Sequence, residues 1–351
     1  MSAIDPSQAA DLFKSLKERF ERLRSDARFP DVTRELDTLV GTIRALPDDI
    51  AKLRARGYVF AKYLEHKAEV LQREWEDARA QVQYAIEREQ ADIRPLLERV
   101  ERAIERGENL VKHPSALVNQ IAGMTEGVNN LEREIGAAKT RMRESFARLR
   151  DNANQATSEL RKYNTYLERK EAASFDFLAG ESVFMADEAE WVATNKSSSD
   201  PDGVLYLTDQ RLIFEQKETT GKTLGLFGGK KVQSLQWALP LNQIGEAKPE
   251  NKGLLGGKDL IHLTLMSGAP YPSITVEVKG GVQAKFWSAQ VMRMIRGEVQ
   301  NERAVELDPE VTEALRSAPT ECPVCGATLP PLVANQRQLN CSYCGTLVRV
   351  S

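Results

Sequence analysis

Apolar residues recur at helical spacing from Leu12 to Leu167 and then at alternate positions from Val204 to Val278, so the chain reads as a helical part followed by a β part. Leu12, Leu16, Phe20 and Leu23 form the buried stripe of a first helix, with Asp5 and Pro6 as its N-cap and first residue. A second helix, about 31–46, carries Val32, Leu36, Leu39, Val40 and Ile43 and is expected to stop at Pro47. From Asp48 two apolar series step by eleven: Leu53, Leu64, Trp75, Ile86, Leu97, and Phe60, Leu71, Val82, Ile93, Ile104. That repeat predicts one very long, nearly straight helix, kinked near Arg94 by Pro95 and ended by a turn at His113 and Pro114.

Beyond the turn the steps alternate between four and three, from Leu117, Ile121, Met124, Val128 and Leu131 through Met142 to Leu160, Tyr163 and Leu167, with Ser145 as a weak position. At 1.5 Å per residue each long helix spans roughly 80 to 90 Å, and the pair is expected as an antiparallel helical hairpin of coiled-coil type. Its apolar seam needs a cover, either the first two helices in an intramolecular bundle or a second copy of the chain. Residues 1–173 are therefore read as a helical arm.

Short strand-like runs follow at 182–186, 190–194, 203–208, 211–216, 232–239, 259–265 and 273–278. Gly280 and Gly281 then open an amphipathic helix with Ala284, Trp287, Val291, Met294 and Ile295 on one side. The hairpin from Gly203 to Phe214, turning at Asp209 and Gln210, is the clearest β signal in the chain. The result is a multidomain α+β protein.

The formal charge of -3 gives no general argument for a nucleic-acid partner, although helix one carries Lys14, Lys17, Arg19, Arg22 and Arg24 among Glu18 and Glu21. No basic stretch followed by an apolar run opens the sequence, and none of its apolar runs approaches the roughly eighteen residues of a membrane span. All four cysteines lie near the C-terminus as two Cys-x-x-Cys pairs, which suits a metal in a reducing compartment. A cytoplasmic protein is expected.

The run Gly203-Val204-Leu205-Tyr206-Leu207-Thr208, with Arg211-Leu212-Ile213-Phe214 and Phe286-Trp287 further on, resembles the GRAM family and its bacterial relatives within the PH-like superfold. The resemblance covers about 174–298 and implies a curved antiparallel barrel capped by a helix, binding lipid or protein without catalysis. Leu205, Leu207, Leu212, Phe214, Trp237 and Trp287 are read as core.

Two near-copies, Gly225-Leu226-Phe227-Gly228-Gly229-Lys230 and Gly253-Leu254-Leu255-Gly256-Gly257-Lys258, place large apolar residues between glycines with lysines beside them. Lys222, Lys231, Lys248 and Lys252 lie nearby. Either Leu226, Phe227, Leu254 and Leu255 dip into an anionic membrane interface beneath these lysines, or they fold back onto the protein. Neither loop has the spacing or following Ser or Thr of a phosphate-binding loop.

A linker with a short helix begun by Asp308 and Pro309 occupies 299–319. Cys322, Cys325, Cys341 and Cys344 then give Cys-x2-Cys-x15-Cys-x2-Cys, in which each pair forms a knuckle and four thiolates complete a tetrahedron. The segment 320–351 resembles a zinc ribbon, a structural Zn2+ site with no open position. Arg337 and Arg349 are thin provision for phosphate contacts, so the ribbon is expected to dock a protein. The sum is a non-enzymatic scaffold or adaptor at a membrane surface or protein partner. The alternative is a nucleic-acid-binding factor using the ribbon and the basic side of helix one.

Overall fold

A computed structural model describes residues 8–193, 200–220, 230–252, 257–334 and 336–349. The chain divides into two compact units, Met1–Pro47 with His66–Ser158 and Asp48–Glu65 with Glu159–Ser351. Asp5 and Pro6 lie outside the described residues.

The first unit is built from α1 (Ala9–Asp26) and from most of α2 (Pro30–Ala55), α3 (Tyr63–Leu110) and α4 (Pro114–Glu171). Ion pairs trace its order: Arg141 to Glu89 and Arg148 to Glu74 set α3 antiparallel to α4, while Lys139 to Asp26 and Arg143 to Glu35 lay α1 and α2 along α4. The seam is thereby covered within the chain. Leu117, Val128, Leu131, Ala138 and Met142 are fully buried, so no second copy is needed to shield them.

Three sequence expectations change here. Helix two does not stop at Pro47, because Ile43, Leu46, Ile50 and Leu53 keep one buried stripe in phase across it and the helix loses only one backbone bond. The very long helix from Asp48 is instead interrupted at 56–62, where Gly57 and Ala61 take left-handed φ angles of 93° and 58°. Phe146, not Ser145, occupies the seam of α4, so the steps there run four, four, three and the heptad is locally shifted. Pro95 sits inside an unbroken α3, and the turn at His113 falls between α3 and α4.

The second unit contains β1 (Val183–Trp191), β2 (Asp202–Thr208), β3 (Arg211–Thr220), β4 (Lys230–Pro240), β5 (Ile244–Lys252), β6 (Lys258–Leu265) and β7 (Ser273–Val278). These strands form one antiparallel sheet in the order β4-β3-β2-β1-β7-β6-β5. The helix α5 (Ala284–Ile295) packs on β5 and β6 with Trp287 and Val291 fully buried. Asp259 caps it by accepting from the Ala284 amide at 2.7 Å. This order and capping helix are the PH-like arrangement.

The strand count matches the expectation but the strands do not. The first two expected runs are one strand, β1, and β5 was not expected because Gly245, Pro249 and its lysines lack strand character. They are tolerated because β5 is an edge strand, where a missing donor disturbs no ladder. Gly203 is where only glycine fits: a Cβ there would lie 1.9 Å from the Glu215 carbonyl oxygen on β3.

Part of the stretch read as arm packs with the sheet. Tyr58 stacks on Tyr163 at 4.5 Å and donates to the Phe184 carbonyl, and Phe60 meets Phe184 edge-on. Arg54 fixes the intervening turn by donating to the carbonyls of Tyr58 and Ala61 and to Glu65.

Candidate metal centre and sheet surface

Near the C-terminus the chain makes the same turn twice. In each Cys-x-x-Cys-Gly the glycine takes φ of 73°, and its amide bonds the first cysteine's carbonyl at 2.8 Å. Cys322 and Cys341 also donate their own amides back, to Ala327 and Thr346. The short antiparallel pair β8 (Gln338–Asn340) and β9 (Leu347–Arg349) flanks the second knuckle. Cys322 and Cys341 are buried, whereas Cys325 and Cys344 are exposed.

All four sulfurs lie within 4.8 Å of one another, with Cys322 to Cys344 and Cys325 to Cys341 both at 3.6 Å. A tetrahedral ion bonded to sulfur at 2.3 Å separates its ligands by about 3.8 Å, whereas a disulfide needs about 2 Å. The thiols are therefore spaced to share a metal ion. The Thr346 hydroxyl and amide pull the Cys344 thiol down to about 6. At Cys325 the Ala327 backbone favours the thiolate, but desolvation and the surrounding sulfurs prevail and push it up to about 12. Four thiolates cannot gather without a cation, which is the chemistry of a metal ligand set.

The sheet surface is a ladder of paired charges. Lys258 sits between Glu190 and Glu277, and Lys279 between Glu190 and Asp202. Lys258 is thus engaged by carboxylates of its own sheet. Lys231 is exposed on β4. Lys222, Leu226, Phe227, Leu254 and Leu255 lie outside the described residues, as does the Lys230 side chain. By register β3 ends and β4 begins beside the end of β1 and the start of β2, whereas β5 ends and β6 begins toward the opposite end of the strands.

No family model matches the chain, and no curated protein matches it. Among solved structures the chain is similar to the Vps36 N-terminal PH domain, at 16% identity over 34% of this chain and 83% of that one, with a TM-score of 0.23. A Slm1 PH domain in complex with inositol-4-phosphate is 10% identical over 32% of this chain and 96% of its own, with a TM-score of 0.23. A DH/PH fragment of PDZRHOGEF in complex with human RhoA is 12% identical over 83% and 95%, with a TM-score of 0.27. The strand order and capping helix, rather than these likenesses, carry the PH-like fold.

Two residues that fix the hairpin turn of the sheet, Glu181 and Arg303, have no local signature in the sequence. Glu181 is buried against Arg211, which donates to it at 2.6 and 3.0 Å, and Thr208 donates to the same carboxylate. Asp209 accepts from the Ser182 amide and from Arg303. Burial pushes Asp209 above the ordinary carboxylate range, against the pull of the Ser182 amide and Arg303. Only the fold brings 181, 209, 211 and 303 together.

Proposed function

We propose that the chain is a non-enzymatic adaptor of the cytoplasm, in which the PH-like unit recognises a membrane surface or a protein and the four-cysteine segment is a structural zinc ribbon. The observation that carries this reading is the filled interior of the sheet. Leu207, Phe214, Trp287 and Val291 are all fully buried there, so a ligand is met on the outer surface and the connections. A ribbon with four protein thiolates has no position left for a reacting water, so its ion supports structure and its exposed Val324 and Tyr343 are left for a protein partner.

Within this reading the sheet belongs with the GRAM type of PH-like domain, and lipid contact falls to Leu226 and Phe227 with Lys222 and Lys231. Lys258 is dropped as a headgroup ligand because Glu190 and Glu277 hold it. Co-sedimentation of the full chain with phosphatidylcholine vesicles, with and without phosphatidylserine, tests it. Binding is expected only with the anionic lipid, weakening as salt rises and lost on L226S/F227S. Equal behaviour towards both vesicles, or binding that survives the double substitution, overturns the lipid reading.

A further inference from the structure

The ribbon does not close its core alone. Its buried set, Cys322, Leu329, Leu332, Leu339, Cys341 and Val348, includes one residue from far earlier in the chain, Ala179. The backbone joins it there too: the Ala179 amide donates to Leu332 at 2.8 Å, the Ala334 amide to Phe177 at 2.9 Å, and Leu178 bridges Val333. Residues 177–179 thus form an antiparallel bridge with 332–334.

The same strap covers the sheet. Phe175 and Phe177 meet the Tyr206 ring edge-on at 5.5 and 6.1 Å, and Tyr206 is fully buried although β2 has its other face in the core. On the far side of the strap, Leu307, Val311 and Leu315 around the helix α6 (Pro309–Ser317) close over Gly180. The strap also bonds the sheet directly, the Ser174 amide donating to Glu215 and Arg211 and Gln210 donating to the carbonyls of Asp176 and Ala179, so what the ribbon adds is the backbone bonds of 177–179. From Glu181 onward the chain is held by Arg211 and, through Asp209, by Arg303.

We infer that a thiophilic divalent ion in the four-cysteine site holds residues 177–179 of the strap 174–180 over the outward face of β2, and that loss of the ion frees Phe177 from the Tyr206 ring. The inference rests on the metal reading above. Without the ion the ribbon has two of its own core residues, Cys322 and Cys341, as unligated thiols, and the strap loses the backbone partners it finds at Leu332 and Ala334. The site then acts as a clasp whose state is read on a different surface.

Hydrogen exchange on the reduced full chain, with zinc added or removed by a chelator and the metal content measured on the same samples, tests this. Removing zinc is expected to speed exchange of the Ala179 amide at least about tenfold and to loosen Phe177 from the Tyr206 ring. The Ser182 amide and the β6–β7 ladder should be unchanged, and restoring zinc should reverse the effect. One zinc per chain with unchanged exchange at 177–180 overturns the clasp while leaving the metal site intact. A chain that takes up no zinc overturns both. C344S, which removes an exposed ligand and no core side chain, should mimic chelation at the strap.

Discussion

The sheet and the ribbon belong to one compact unit yet are held together by different forces. Behind the sheet lie Trp287, Phe214, Leu207, Leu239 and Val276, large side chains that exclude water without help. Among the described residues the four-cysteine segment has six buried residues of its own, two of them cysteines of the cluster, and borrows Ala179 to complete the set. On the proposed metal reading a segment so small gains its order from an ion, whereas the sheet gains it from area removed from water. Chelation and core truncation should therefore break different parts of one chain.

The largest effect should follow metal removal. Structural zinc contributes on the order of 10 kcal/mol to such segments, so the apo chain is expected to lose protection throughout β8 and β9 while β6 and β7 keep theirs, as hydrogen exchange would read. Trp287→Ala should do the reverse. Emptying the site of a fully buried indole costs about 3 to 5 kcal/mol, visible as a lower urea midpoint for the sheet, with zinc affinity unchanged. Gly203→Ala places a methyl group 1.9 Å from the Glu215 carbonyl and should cost about 3 kcal/mol by forcing β2 from β3, measured in the same titration.

Acid should separate the helical unit from the sheet unit more gently. In the first, the guanidinium groups of Arg143 and Arg141 hold Glu35 and Glu89 below the ordinary carboxylate range. Their stabilisation is present above the unfolded value and is lost as pH falls through the folded one. In the second, burial raises Asp187 and Asp209, so the folded form binds the proton more tightly and stability falls as pH rises through that window. Between about pH 5 and 3 the bundle should weaken, by no more than about 1 kcal/mol per partly exposed pair, while these two groups do not weaken the sheet. Exchange rates of α4 and β2 amides across that range check it.

Legibility in the sequence followed the range of the interaction. The knuckles were readable because Cys-x-x-Cys-Gly is made from five neighbours, and the β2–β3 hairpin because its turn and alternation lie within Gly203 to Phe214. The N-cap at Asp308 was equally local, its carboxylate accepting from Glu310 at 2.8 Å. Helix continuity through Pro47 was missed because burial of Leu46 and Ile50, a tertiary effect, outweighs one lost donor. β5 was missed because Pro249 and two lysines, Lys248 and Lys252, are unsuited to a central strand and acceptable only at an edge. The packing of Tyr58 and Phe60 beside Phe184 had no signal at all, since residues more than a hundred positions apart share no local pattern. For the metal centre the ligands were legible and the strap that completes its core was not.

Native mass spectrometry of the reduced full chain tests the division between metal-held and core-held parts most directly. The account predicts one divalent ion per chain, lost together with the protection of β8 and β9 when any one of Cys322, Cys325, Cys341 or Cys344 becomes serine. A metal-free mass from a chain whose β8 and β9 amides remain protected would contradict it.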